Sequence, residues 1–339
     1  MPSVAVATKA EGLLLISVAS GKEHAMPLLR RRSVFAAKAE ATIGTAEALT
    51  AAEGVFNAMD LQIQPNITME EREGQGGFNY NPSVPGIRSG TATFSTEAYY
   101  DGSTVPPWAT VLLPGCGFIN TAGVFSPLSE GPAAGASKPK TLTIGGYIDG
   151  VFRVLSGCMG TFTIDLPTGR MVKFNWTFQG KWVNPADVAI IEPTFPLTTM
   201  PMRMAAGSVS WASATMCTES VTVDAGNEVI LRECAGDLTG IKSGLVVNRK
   251  PTITANPEMV LVATQDRHSQ WLTPTPGALV ITTGGASENR LVITAPKAQL
   301  QNIQQGERSG LMTDELTWMA TADDDPDEEL TITFTAATP

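Results

Sequence analysis

The stretch GCMGTFTIDLPTGRMVKFNWTFQGKW, residues 157–182, alternates apolar and polar side chains more regularly than any other part of the chain. Two alternating runs flank a turn at Pro167-Thr168-Gly169-Arg170, and their apolar members are Phe162, Ile164, Leu166, Val172, Phe174, Trp176 and Phe178. Period two on both sides of a Pro/Gly turn predicts a β-hairpin with one buried face. Its polar face carries Thr, Asn, Lys and Asp with no nucleophile, base or ligand cluster, so the hairpin is predicted to be architectural.

The composition favours a β-rich globular chain. Of 339 residues, 43% are apolar, which is ample for a core, and 17% are charged, against about 25% in an average protein. Low charge with many Gly and Thr residues fits a chain whose surface is covered by partners, and does not fit a disordered one. The net charge of −10, without a basic stripe, argues against general affinity for nucleic acid.

The sequence predicts two domains joined by a linker. A first β domain is expected over residues 33–185, a proline-rich linker over 186–204 and a second β domain over 205–339, because the order strand, long connection, strand, short helix, hairpin, final strands occurs twice. The short helices are predicted at 106–113 and 265–272. Residues 1–32 are predicted to be an N-terminal extension or arm, of which 1–25 are poorly packed.

A long polar segment interrupts the first predicted domain. Residues 69–88, MEEREGQGGFNYNPSVPGIR, combine Gly, Pro and an acidic patch, and read as a functional loop or arm without regular structure. A short basic cluster precedes the first domain. The residues predicted to contact other subunits are Glu70, Glu71, Glu73, Phe78 and Tyr80 of the loop and Arg30, Arg31 and Arg32 of the cluster.

No residue pattern predicts an enzyme. The chain lacks GxSxG, HExxH, P-loop and GxGxxG motifs in their required contexts, so no catalytic residue, cofactor or metal site is predicted. The four cysteines have no CxxC spacing and are expected to be buried and reduced. The acidic run 323–329 does not match an EF-hand loop and is expected to be a solvated turn. No transmembrane helix is predicted.

Three segments resemble the major tail tube proteins of bacteriophages with long, non-contractile tails. These are LLRRRSVFAAKAEATIGT (28–45), DGVFRVLSGCMGTFTIDLPTGRMVKFNWTFQGKWV (149–183) and GNEVILRECAGDLTGIKSGLVVNRKPTITANPEMV (226–260). The resemblance spans roughly residues 26–335. It implies a mainly β fold of two tandem tail-tube-type sandwich or barrel domains, each with one short helix.

The resemblance also implies a structural virion protein without enzymatic activity. Its sheets join side by side into rings, which stack into a hollow tube through which DNA leaves the capsid without specific binding. Implied partners are further copies of the chain, a tape-measure protein and tail terminator and tip proteins. Assembly is expected in the bacterial host cytoplasm, with no membrane involved. The alternative function class is a secreted or surface ligand-binding or adhesin β-sandwich.

Two tube-type halves in each chain favour a ring of three chains with pseudo-six-fold symmetry, with a six-chain ring as the alternative. The arm is expected to order only on polymerisation and to dock on the next ring, where its acidic patch meets a basic cluster such as Arg30 to Arg32. The tube interior is expected to be predominantly negative.

Overall fold

The fold is described by a computed structural model covering residues 28–135, 137–195, 198–285 and 288–337. The extension predicted for residues 1–25 lies outside the described residues. The strands are β1 (Ser33–Ala39), β2 (Ala58–Glu73), β3 (Tyr80–Glu97), β4 (Phe118–Thr121), β5 (Val124–Pro127), β6 (Leu142–Ile148), β7 (Val151–Pro167), β8 (Lys173–Asp187), β9 (Ser208–Trp211), β10 (Ala214–Met216), β11 (Thr218–Asp224), β12 (Asn227–Glu233), β13 (Ile241–Arg249), β14 (Thr252–Pro257), β15 (Gly277–Thr282), β16 (Arg290–Arg308), β17 (Leu311–Thr321) and β18 (Thr331–Thr335). The α-helices are α1 (Pro107–Gly115) and α2 (Arg267–Leu272), and a 3-10 turn lies at Ala51–Gly54.

The mainly β class with one short α-helix in each half is confirmed. The predicted central hairpin is β7–β8, in which Phe162 faces Trp176 and Ile164 faces Phe174. These four side chains are buried, and the ring centroids of Phe162 and Trp176 are 5.3 Å apart. Buried aromatic side chains contribute the largest apolar areas available to a core. Gly169 turns the chain with a positive φ of 74°.

The same order of strands occurs in each half of the chain. In the first half the neighbours run β1-β6-β7-β8-β3-β2, and in the second half they run β9-β15-β16-β17-β14-β11. The helix follows the equivalent strand each time, α1 after β3 and α2 after β14. A register shift also lies near the start of the equivalent strand in each half, between Met59 and Gln62 in β2–β3 and between Thr218 and Val221 in β11–β14. The two halves therefore share pairing order and helix position, and each has a bulge near the same strand end.

Two strand pairs connect the halves into one continuous sheet. The outer edge of β11 pairs with the end of β7, and β18 pairs with β5 of the first half. The buried apolar side chains of both halves form one cluster. The segment predicted as a linker, residues 186–204, overlaps the end of β8 at Asp187, and its described residues after that form only isolated bridges at Pro201, Arg203 and Met204.

Two stretches divide into strands in a way that alternation alone does not indicate. Residues 208–224 hold β9, β10 and β11, and Ala212 and Ser213 turn the chain between β9 and β10 with positive φ values. Residues 290–308 form the single long strand β16, which is irregular near Leu300 but not interrupted.

Candidate assembly surfaces

The polar segment 69–88 is a β-hairpin, which corrects the expectation of a loop without regular structure. The outer parts of β2 and β3 pair antiparallel through Ile67–Arg88, Met69–Pro85 and Glu73–Tyr80. The tip is closed by a hydrogen bond from the Gly74 amide to the Asn79 carbonyl at 2.9 Å. We call the outer hairpin, residues 65–88, the first arm.

The hairpin structure of the arm was not predicted from the sequence because neither face of the arm is buried. All residues from Pro65 to Glu73 are exposed. Because no face of this segment has to be apolar, its sequence shows no alternation of apolar and polar residues. Its register shifts after Ile67 and again after Glu70. Between Tyr80 and Arg88, β3 pairs only with β2 in the described chain, so its other edge carries no strand. Proline is accepted on such an edge, which explains why Pro82 and Pro85 are tolerated.

The predicted contact residues of the first arm are presented to solvent. Phe78 and Tyr80 are among the most exposed large apolar side chains, and Glu70, Glu71 and Glu73 are also exposed. An aromatic side chain that is fully exposed in a monomer gains free energy on burial, at about 25 cal/mol per Å² of apolar surface. The arm therefore has the chemistry of a contact surface.

The predicted basic cluster lies at the start of β1, beside the β6–β7 turn. Arg30, Arg31 and Arg32 are exposed. Arg32 pairs with Asp149 at 2.8 Å, and the Arg32 carbonyl accepts the Asp149 amide. Within the described ranges no ion pair joins the cluster to the arm glutamates, so the structure does not bring the two groups together in one chain.

The second half has an arm at the equivalent position, and sequence reasoning missed its role. β12 and β13 form a hairpin between β11 and β14, and this second arm lies against β7 and β8 of the first half. Asp237 near its tip pairs with Lys181 at 2.9 Å, and the Thr239 carbonyl accepts the Arg88 amide. Asn227 at its base donates to the carbonyls of Cys116 and Gly160.

A buried cation anchors the base of the second arm. Arg249 pairs with Glu329 at 2.9 Å and lies over the Phe118 ring at 5.4 Å. Glu329 belongs to the acidic run 323–329, and another member, Asp323, pairs with Lys297. Part of that run is thus ion-paired rather than only solvated. Charge-assisted contacts of a buried arginine fix the geometry of the elements that they join.

The cysteines divide into two classes, which corrects the expectation that all four are buried. Cys116 and Cys158 are buried, and burial raises the pKa of both thiols well above the usual range. Cys217 is exposed and Cys234 is half-buried. All four are free thiols. A thiol whose pKa is raised by burial is a poor nucleophile, so Cys116 has a structural role.

Among the described residues, no group of three or more His, Cys, Asp and Glu side chains is arranged to hold a metal ion. Neither α1 nor α2 has the length and apolar character that crossing a bilayer requires.

A family model described as phage tail tube protein matches residues 30–320, which is most of the chain. The chain belongs to the phage tail tube protein family. A search of the curated proteins found no match. The matched range of this tail tube protein contains both arms, both helices and all strands from β1 to β16 with most of β17. The surfaces described above are therefore those of a structural tail component.

Proposed function

We propose that the chain is the major tube protein of a long, non-contractile phage tail. Copies form rings, the rings stack into a hollow tube, and DNA leaves the capsid through that tube. The observation that carries this proposal is the family match across both halves, together with an arm whose apolar and acidic side chains are exposed in the single chain. The protein acts without enzymatic chemistry.

The ring is proposed to contain three chains. The same strand-pairing order occurs in both halves of the chain, so three chains would supply six similar units. The proposed units are domains 33–185 and 205–339, linked by residues 186–204. Six chains per ring, with one domain of each at the lumen, is the competing arrangement. Electron microscopy of the purified protein tests both the tube and the count: hollow tubes support the function, and subunits per ring decide the stoichiometry. Isolated particles at all concentrations, as expected of a secreted β-sandwich adhesin, would contradict it.

The first arm is proposed to contact a neighbouring subunit. Phe78 and Tyr80 would be buried there, and Glu70, Glu71 and Glu73 would face basic side chains such as Arg30, Arg31 and Arg32. A tape-measure protein inside the tube and terminator and tip proteins at its ends complete the proposed partners. Assembly takes place in the host cytoplasm and the product is part of the virion.

DNA is proposed to pass the lumen without specific binding. The net charge of −10 gives the chain no sequence-wide attraction for phosphates. Fluorescence anisotropy of labelled duplex DNA with assembled tubes at low salt tests this, and we expect no change. Salt-sensitive binding would instead require a positive inner wall and would contradict the proposal.

A further inference from the structure

The contact between the two halves of the chain is a template for a contact between chains. We propose that residues 28–29 and the outer edge of β2 in one copy dock on the β16–β17 hairpin of a second copy, repeating the way residues 202–204 and β11 dock on β7–β8. This inference rests on the proposed function, since it names the surface that would close the ring.

The first part of the template is a strand pair. β11 is paired on both edges, with β14 and with the end of β7. Its counterpart β2 pairs with β3, and no other described strand pairs with it. The counterpart of the β7 end is the β16 segment 304–308, which pairs with β17 and has no strand on its other edge in the described chain. The chain thus carries two complementary open edges, and each one has a paired equivalent elsewhere in the same molecule.

The second part of the template is an apolar segment laid over a hairpin tip. Beside the β7–β8 turn, the Met202 carbonyl accepts the Val172 amide at 2.9 Å, and the Met204 amide donates to the Arg170 carbonyl at 3.0 Å. Met202 and Met204 are each only 6% exposed, and Val172 is fully buried. The segment leads directly into β9.

The equivalent groups are exposed where the template predicts a second copy. Leu28 and Leu29, which lead into β1, are 54% and 57% exposed, and at the β16–β17 tip Leu311 and Met312 are 53% and 45% exposed. The tips correspond in detail, because the Ala98 amide donates to the Val172 carbonyl and the Met259 amide donates to the Met312 carbonyl. Two apolar surfaces that are covered in one half are therefore open in the other.

An open edge of this kind selects a second copy as its occupant. The two edges differ from each other, so pairing is head-to-tail, and it forms a ring when the rotation between neighbouring copies closes. An unpaired edge strand also presents a row of backbone donors and acceptors, which is the usual site for adding another strand. The intrachain junction shows that this chain already satisfies such an edge with its own β strand.

Register transfers from one junction to the other through matching rungs of the sheet. Val223 faces Ile253, which faces Trp318, while Ile63 faces Ala92, which faces Phe178. Phe178 lies six residues after Val172 and Trp318 lies six residues after Met312, and Val172 and Met312 correspond at the two hairpin tips, so Val223 and Ile63 occupy the same rung.

Asp314 lies four residues before Trp318 in β17 and pairs with Gln305. In the same way, Phe174 lies four residues before Phe178 in β8 and pairs with Ile164. Within the chain, Val223 pairs with Ile164, and Asp224 pairs with Thr163. The junction between copies therefore places Ile63 opposite Gln305 and Gln64 opposite Gln304.

Disulfide trapping tests this register. In a background with Cys217→Ser and Cys234→Ser, we would introduce Gln64→Cys with Gln304→Cys, both at exposed positions. After mild oxidation of assembled protein, we expect covalent dimers and closed rings on a non-reducing gel. A matched variant with Gln64→Cys and Gln305→Cys differs by one residue, so its second thiol points to the opposite face of the sheet. It should give less than about a tenth of that yield.

A positive control uses the junction already present in the chain. Asp224→Cys with Thr163→Cys should form a disulfide within the monomer and give no larger species. The result that overturns the inference is tubes in the microscope without the Gln64–Gln304 disulfide, or equal trapping by the shifted pair. Either result leaves the tube function standing. If the serine background forms no rings or tubes at all, both the tube function and this junction fail.

Discussion

The two arms occupy the same place in two copies of one strand order, yet the second is docked and the first is free except at its base, where Arg88 contacts Thr239. The second arm, β12–β13, lies on the first half and is held by Lys181, Arg88 and the base contacts of Asn227. The first arm, from Pro65 to Arg88, is exposed on both faces over most of its length. One of two equivalently placed hairpins is therefore covered within the chain while the other is exposed, and this difference is the reason for proposing that the first arm contacts a neighbouring subunit.

The largest expected effect follows from removing the free arm. Replacing residues 70–85 by a short Gly/Ser linker should leave a folded, soluble chain, because the deleted side chains contribute no buried surface. Tube formation should be lost, as judged by electron microscopy and by sedimentation. Tubes of normal length would show that the first arm does not connect subunits.

The docked arm supplies the matched control. Replacing residues 230–245 by the same linker removes the Lys181–Asp237 pair and the buried side chains of Ile241 and Ser243. We expect this variant to lose thermal stability already as a monomer. If the two replacements have the same effect on the monomer, the distinction between a docked and a free arm is wrong.

The sequence predicted the strands that bury one face, and it did not predict the strand pairing where neither face is buried. The β7–β8 hairpin was predicted because Phe162, Phe174 and Trp176 alternate with polar residues, and this alternation is what a half-buried strand imposes. The helix at Pro107 was predicted from its N-terminal proline. The first arm was predicted in position, and the contact role of its residues stays a prediction, but its strand pairing was missed because it left no periodic signal.

The second arm and the open edges lay beyond sequence reasoning for a different reason. Asp237, Asn227 and Arg249 are ordinary polar residues in the sequence, and their roles depend on partner residues more than 50 positions away. An edge is open or covered only in relation to the whole sheet order. Such long-range relations require the topology, which a single sequence does not specify.

A pair of substitutions at equivalent apolar segments should have a smaller, separable effect. Met202→Asp places a charge in a site that is 6% exposed and should lower the free energy of unfolding by roughly 3 kcal/mol or more. Leu28→Asp lies at a site that is 54% exposed, so monomer stability should change by less than about 0.5 kcal/mol. Thermal unfolding of the monomer measures both, and only Leu28→Asp should impair assembly while leaving the monomer intact. Normal tubes from Leu28→Asp would remove that residue from the contact.

The smallest expected effect is a pH-dependent one at the tip of the docked arm. Burial raises the pKa of Asp237, but the hydrogen bonds from Lys181 and Thr239 outweigh it, so the pKa lies below its usual range. A lowered pKa in the folded state gives stability that is present above the unfolded pKa of about 3.9 and is lost as the pH falls through the folded pKa. Asp237→Asn should therefore cost about 1 kcal/mol at neutral pH, and the difference from the unsubstituted protein should vanish as the pH is lowered towards about 2. Urea unfolding across this range measures the difference.

Glu70→Gln on the free arm is the control, since an exposed carboxylate without a partner in the described chain should leave stability unchanged. A constant penalty for Asp237→Asn at every pH would mean that the side chain packs there without using its charge.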